Sequence, residues 1–274
     1  MKKINLTVIV IDGDRTGKYY LHYLYESGFK VNKVIILKKQ KTIRSFLGKV
    51  RRLEFFKKPL IELPLEKIIN QNFEIKILDE YHYHVYASEI EAIKVGTKNI
   101  NDDALYEYMK SDNSSLYLFS GGGIVDARLL SNPNKKIIHI HPGIVPDIRG
   151  ADCLFWSVLL RGKPGYSLFY MSAGIDEGSI LHQEEFALPQ NLCIDKKSYK
   201  IDVKQDSISL LKTLDLHYRS ITLVNFLKKH YQGEADIKLV NATPQKQKDG
   251  RMYFLMHAAI KKIAIKRLLF SNDT

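Results

Sequence analysis

The sequence predicts an α/β fold: a largely parallel sheet domain over residues 1–190, followed by a mainly helical extension over 191–274. Three observations carry this reading. "INLTVIVI", residues 4–11, is apolar almost throughout, as a strand covered on both faces must be. It runs through the glycine loop "GDRTGK" into the helical stretch "YYLHYLYESG" and then the apolar run "VNKVIIL", the order of a right-handed parallel crossover. Beyond Pro189, "SISLLKTLDLHYRSITLVNFLKKHY" places its apolar residues at helical spacing.

The elements between follow in order. "NFEIKIL" and "YHYHVYA" are short strand candidates. "NINDDALYEYMKSDN" reads as a helix capped by Asn101, with Asp102 and Asp103 suited to its positive start. "SLYLFS" is a strand running into Gly121, Gly122 and Gly123; "DARLLS" is a short helix; "KKIIHIH" is the next strand. "YSLFYMS" and "GSILHQEEFAL" are two further strands joined by "AGIDE". In open α/β sheets ligands sit outside the carboxyl ends of the strands, where the first glycine loop, "SGGG" and the end of "HIH" all fall.

The chain's 274 residues carry a net charge of +12, so its surface draws anions such as nucleic acid, anionic lipid or phosphorylated metabolites. The excess concentrates between Lys38 and Lys58, where Glu54 is the only acid, and in the tail "KKIAIKRLL". Neither stretch has a zinc-finger or RNA-recognition signature. No segment reaches the roughly 18 uncharged apolar residues of a membrane span, and the amino terminus lacks a signal-peptide cleavage site. Cys153 and Cys193 give neither a disulfide framework nor a metal spacing. A cytoplasmic setting is expected.

Four local features bear chemistry. "GDRTGKY" is not a P-loop: three residues separate Gly13 from Gly17, and a tyrosine follows Lys18. The amides at that helix start could still hold a substrate anion. "SGGG" lets backbone approach a ligand closely. His139 and His141 share one face because strand side chains alternate, a spacing that serves either metal ligation or proton transfer. Asp176 lies in a tight loop between two strands, where Asp next to Gly is also ordinary turn chemistry.

The order "HIHPGIVPDIRGAD", Trp156, "GKPGYSLFYMSAGIDEGSILHQ" resembles the folate-dependent formyltransferase family. That family includes methionyl-tRNA formyltransferase, glycinamide ribonucleotide formyltransferase and the nucleotide-sugar N-formyltransferases. Its pattern is a strand ending Asn-x-His-Pro-Ser, a Leu-Pro-x-x-x-Gly loop, then an Asp-x-Gly turn before a strand. His141-Pro142-Gly143, Val145-Pro146 through Gly150, and Asp176-Glu177-Gly178 match these in turn; the match is specific over residues 115–185. The resemblance implies a Rossmann-like fold and formyl transfer from N10-formyltetrahydrofolate to a primary amine. It implies His141 and Asp176 as catalytic, with His139 standing where the family has Asn. His141, helped by His139, would stabilise the formyl oxygen, and Asp176 would hold His141 suitably protonated and help accept the amine proton. The pterin is expected on Gly121, Gly122, Gly123, Ile124 and Val125 and on Ala173, Gly174 and Ile175. An amino-sugar nucleotide, in bacterial surface glycan biosynthesis, is the leading acceptor, because residues after 189 read as helix where a tRNA enzyme carries a barrel. Gly13, Arg15, Lys18 and Arg149 are candidate contacts to it, and a homodimer is expected. Three alternatives stay open: a methionyl-tRNA or other amine formyltransferase, a metal-dependent hydrolase using His139, His141 and Asp176, and a non-catalytic folate-binding relative.

Overall fold

The computed structural model describes residues 1–38, 64–73, 91–190, 192, 194–231, 241–246 and 250–270. The strand candidate at 81–87, most of that at 72–78, the basic segment beyond Lys38, and Cys193 lie outside them; Asn72 ends a helix.

Seven strands form one sheet: β1 (Lys2–Ile11), β2 (Phe29–Leu37), β3 (Glu91–Val95), β4 (Leu116–Phe119), β5 (Lys136–His141), β7 (Gly165–Tyr170) and β8 (Ile180–Glu185). Their order is β3-β2-β1-β4-β5-β7-β8. The first five run parallel; β7 and β8 add an antiparallel hairpin. The chain winds outward from β1 to β3, then returns to place β4 on the other side of β1. That reversal opens a crevice at the carboxyl ends of β1, β4 and β5.

Alternation along β1 explains its apolar text. Ile4, Leu6, Val8 and Val10 join one buried cluster and Ile9 joins a second, so the strand is covered on both faces. The first cluster is roofed by α1 (Arg15–Glu26), α5 (Cys153–Arg161), α6 (Val203–Lys212), α7 (Leu214–His230) and α8 (Ala258–Leu269). The second lies under α3 (Asp103–Ser111) and α4 (Ala127–Leu130). A short helix, α2 (Pro64–Asn72), packs against α6.

The helical extension shares the sheet's core: Leu210, Leu214, Leu223, Phe226, Ile265 and Leu268 are fully buried within the first cluster. Its long helical text breaks at Thr213, whose backbone leaves helical geometry between α6 and α7. One pairing has no signal in the sequence. β6 (Arg149–Gly150) and β9 (Met252–Tyr253) form a two-stranded parallel sheet, tying the loop after β5 to the tail. Another detail corrects the sequence reading: Asp102, not Asn101, caps α3, its carboxylate accepting from the Ala104 amide at 3.0 Å. Asn101 instead donates to the Ile124 carbonyl and accepts from the Asp126 amide, tying α3 to the loop after β4. Among the described residues no helix is long and apolar enough to cross a membrane.

A buried polar node anchors the far end of the sheet. Asp112 accepts from the Lys33 ammonium, the Tyr117 hydroxyl at 2.8 Å and the Ser114 amide at 3.3 Å. Burial opposes its ionisation, but Lys33 and these hydrogen bonds outweigh it and lower its pKa to about 2. Asp112→Ala leaves Lys33 without this carboxylate, and the expected loss is about 3–5 kcal/mol of unfolding free energy at pH 7. The stabilisation is complete above the ordinary aspartate pKa and fades as pH falls towards about 2. Urea unfolding of the two proteins at pH 7 and at pH 3 checks both points, since the gap between them narrows at the lower pH.

Candidate active site

β5 ends on the two imidazoles. Ile138 and Ile140 point into the first cluster and Ile137 into the second, so His139 and His141 emerge on the Ile137 face. Both are buried. They meet Phe169 across the antiparallel pairing with β7, at ring-centroid distances of 6.0 Å and 6.4 Å.

His139 Nδ1 lies 3.1 Å from the Phe119 carbonyl, to which only an N–H can donate. A neutral ring donating there presents a bare Nε2, an acceptor. His141 Nδ1 faces Asp176 Oδ2 at 3.4 Å; its Nε2 is buried without a hydrogen-bond partner among the described residues. Burial first, and the nearby Arg219 charge second, push both imidazoles well below the ordinary histidine range, His141 to about 3. Asp176 moves the other way: burial raises it, against a hydrogen bond from Gly150 and the surrounding cations. Two neutral rings thus face a carboxylate with a raised proton affinity.

Asp176 is delivered by the turn between β7 and β8 with φ of 55°, the left-handed region in which Asp is among the better tolerated residues. The Gly150 amide donates to its Oδ2 at 3.0 Å, and the Gln245 side chain donates to the Asp176 and Gly178 carbonyls at 3.0 Å and 2.6 Å. The turn needs Gly178: a Cβ there would lie 1.5 Å from the Tyr170 carbonyl oxygen. Gly178→Ala is expected to cost about 3 kcal/mol or more, since backbone must shift. A urea titration measures it, and an unchanged midpoint would mean that the turn adapts freely.

These residues line one cavity of about 650 Å³, within the range of small-molecule sites. Gly121, Gly122, Gly123 and Ile124 line it from the loop after β4, and Gly174 and Ile175 from the turn before Asp176. Ile124 and Ile175 are exposed, giving the cavity two apolar edges, and a Cβ at Gly122 or Gly123 would meet nothing within 4 Å, so the loop leaves open space beside the backbone. Such walls suit a flat ring system.

The other sequence candidates fall elsewhere. Val125 is buried in the second core cluster, and Ala173 is exposed beside the turn. Neither they nor Gly13, Arg15, Lys18 and Arg149 are among the lining residues. Arg15 pairs with Glu66 at 3.4 Å; Arg149 is buried and pairs with Glu177 at 3.0 Å, so its guanidinium braces the turn that carries Asp176. The start of α1 is already occupied by its own cap: Asp14 accepts from the Thr16 amide at 3.1 Å and from the Ser120 hydroxyl at 3.1 Å, which leaves a poor seat for a phosphate. Among the described residues no three His, Cys, Asp or Glu side chains are grouped to hold a metal ion.

Sequence reasoning missed Asp14, Asp152, Asp215 and Arg219, all of which line the cavity. Asp152 accepts from the Met256 amide at 2.8 Å and pairs with Lys261 at 2.7 Å. Arg219 pairs with Asp215 at 2.8 Å and donates to the Ile140 carbonyl at 2.6 Å; Asp215 in turn accepts from the Tyr166 hydroxyl at 3.0 Å. Two opposite charges at i, i+4 within an apolar helix were the legible signal for this last pair.

An imidazole pair ending a parallel strand, a carboxylate in a left-handed turn and a glycine loop meet around one cavity at the topological switch point of an α/β sheet, a grouping chemically able to move protons. Residues 85–205, less than half of the chain, match the family model described as formyl transferase. Curated relatives include the methionyl-tRNA formyltransferases of Finegoldia magna and Ehrlichia canis. The first is 26% identical over 117 residues, 42% of this chain and 38% of that protein. The second is 31% identical over 143 residues, 51% of this chain and 46% of that protein. The chain thus spans less than half the length of these relatives. Similar solved structures include a sugar N-formyltransferase from Shewanella sp. FDAARGOS_354, at 14% identity and TM-score 0.48, covering 98% of this chain and 89% of that one. Glycinamide ribonucleotide transformylase 1 from Symbiobacterium toebii is similar at 16% identity and TM-score 0.48, covering 90% and 95%.

Proposed function

We propose that this chain transfers a formyl group from N10-formyltetrahydrofolate to the primary amine of an amino sugar, carried on a nucleotide. The observation that carries the reading is the convergence of His139, His141 and Asp176 with the glycine loop on one cavity. The apolar edges at Ile124 and Ile175 and the open backbone of Gly122 and Gly123 fit the flat ring of the folate. When bound, the folate supplies the formyl carbon that the amine attacks.

The protein's own residues prepare the amine. Four carboxylates line the cavity: Asp14, Asp152, Asp176 and Asp215. Lys261 offsets Asp152 and Arg219 offsets Asp215. Among the described residues no lysine or arginine forms an ion pair with Asp14 or Asp176. A site of this balance draws a cationic ammonium and repels a phosphate, so the nucleotide lies outside it. The amine must lose a proton to attack. The bare Nε2 of neutral His139 accepts its hydrogen bond, and Asp176, with proton affinity raised by burial, takes the proton directly or through water. His141, adjoining Asp176, shares that proton and turns an N–H to the oxygen where charge develops; on collapse of that oxyanion the bond from the formyl carbon to N10 would break, and the proton held between Asp176 and His141 would pass to N10.

A second reading, methionyl-tRNA as acceptor, is favoured by the names of the curated relatives. The helices after residue 203 that share the sheet's core favour the sugar. The chain would be incubated with N10-formyltetrahydrofolate and either a panel of amino-sugar nucleotides or charged methionyl-tRNA, with mass spectrometry following the gain of one formyl group. Transfer to a sugar nucleotide is the expected result. Transfer to the tRNA alone overturns the acceptor, and no transfer to any amine overturns the activity.

A further inference from the structure

The proposal rests on the acid–base reading of His139, His141 and Asp176 and adds a residue to it. Arg219 lies on α7, beyond the residues that match the family model. Its side chain is 15% exposed, and it lines the cavity. One edge of the guanidinium pairs with Asp215 on the same helix; the other donates to the carbonyl of Ile140, the residue between the two histidines.

That carbonyl needs a partner for a topological reason. Ile137 accepts from the Met171 amide, on the β7 side. By alternation along β5 the Ile140 carbonyl points the other way, towards β4. The β4–β5 ladder ends at Leu118 and Ile138, so no strand remains there to supply an N–H. The sheet stops pairing on one side where the two imidazoles begin.

We propose that Arg219 is the positioning residue of this site, clamping the unpaired end of β5 so that His139 and His141 hold their places around the cavity. Its fixed positive charge has a second consequence. The groups acting on the imidazoles are Asp176 from the turn, Arg219 from α7, the Phe119 carbonyl on His139 and the Ile148 carbonyl on His141; Asp14 and Asp215 line the same cavity, and Tyr20 and Tyr166 lie beside Arg219. Of these Arg219 is the cation that cannot lose its proton. It opposes a second positive charge on either ring, and so keeps both neutral when the amine arrives.

The test separates clamp from charge and does not depend on the acceptor being known. The histidine rings of the unliganded protein would be followed by NMR through a pH titration, in the wild type, Arg219→Gln and Arg219→Lys. Arg219→Gln is expected to raise the titration midpoints of His139 and His141 by about one unit or more, a tenfold gain in proton affinity. Arg219→Lys keeps the charge but lacks the planar fork that reaches both acceptors, so the midpoints stay low while the ring signals broaden or shift. With an acceptor in hand, kcat falls at least tenfold in both variants and the KM for the folate changes little. Should Arg219→Gln unfold because Asp215 is stranded, Arg219→Met with Asp215→Leu removes the pair together and takes its place. Unmoved midpoints in a folded charge-free variant overturn the electrostatic role; a wild-type kcat in Arg219→Lys overturns the clamp. If the wild type formylates no amine, the NMR titration still decides the electrostatic role.

Discussion

Asp176→Asn is expected to lower kcat by about 10²–10⁴-fold, the range typical of losing a positioned proton-transfer group. The substitution keeps the shape of the side chain. Its carbonyl oxygen can still accept from the Gly150 amide, which donates to Oδ2 at 3.0 Å. Asparagine also tolerates a φ of 55°, so the turn is not strained further. What it loses is the ability to take up the amine's proton and to share one with His141, 3.4 Å away. The fold is therefore expected to persist, with an unchanged melting curve beside the collapse in turnover. The pH dependence follows from the same environment. Burial raises Asp176 above its ordinary range, and the active form is the carboxylate, so activity declines with acid at a pH above the ordinary aspartate value. Near-normal turnover of Asp176→Asn would remove this residue from the chemistry.

His139→Ala is expected to cost about 10²–10³-fold in turnover. His139→Asn should fall between Ala and the wild type. An amide oxygen can accept the hydrogen bond from the amine that His139 Nε2 accepts, but the shorter side chain does not place it where the ring nitrogen sits. Asn is also what the family pattern carries at this position. The wild-type acid limb should owe nothing to histidine titration near pH 6–7, although two adjacent imidazoles read from sequence suggest it. Burial and Arg219 hold both rings well below that range, so they are already neutral there. Steady-state rates for the three proteins across pH 4–8 measure all of this. Equal activity of the wild type and His139→Ala would make His139 a packing residue against Phe169.

The fold was legible where burial writes a pattern. β1 reads as a strand covered on both faces because both faces meet apolar layers, through Val8 on one and Ile9 on the other. β5 betrays itself by breaking the rule: His139 and His141 replace apolar residues on one face, where the strand leaves the core for a cavity. The glycine loop and Asp176 were legible for a related reason. Open backbone beside a cavity and a left-handed turn each limit which residues can stand there. Arg149 reads in the sequence as a loop arginine open to a phosphate; only the folded turn brings Glu177 within 3.0 Å of it.

The sequence by itself determined the α/β class, the strand that ends in two imidazoles, the carboxylate that faces them and the resemblance of residues 115–185 to formyltransferases. All of these rest on local spacing, period and motif order, which a chain carries without being folded. Only the tertiary structure decided how the site is charged and closed. Ring tautomer depends on Phe119, 20 positions away. The depressed imidazoles depend on burial and on a guanidinium from α7, 79 positions from the carbonyl it holds. The turn under Asp176 depends on Gln245, which donates to its carbonyl from 69 positions on. Proton affinity and register at a strand end are set by what surrounds a group in space, and that environment exists only once distant segments share one core.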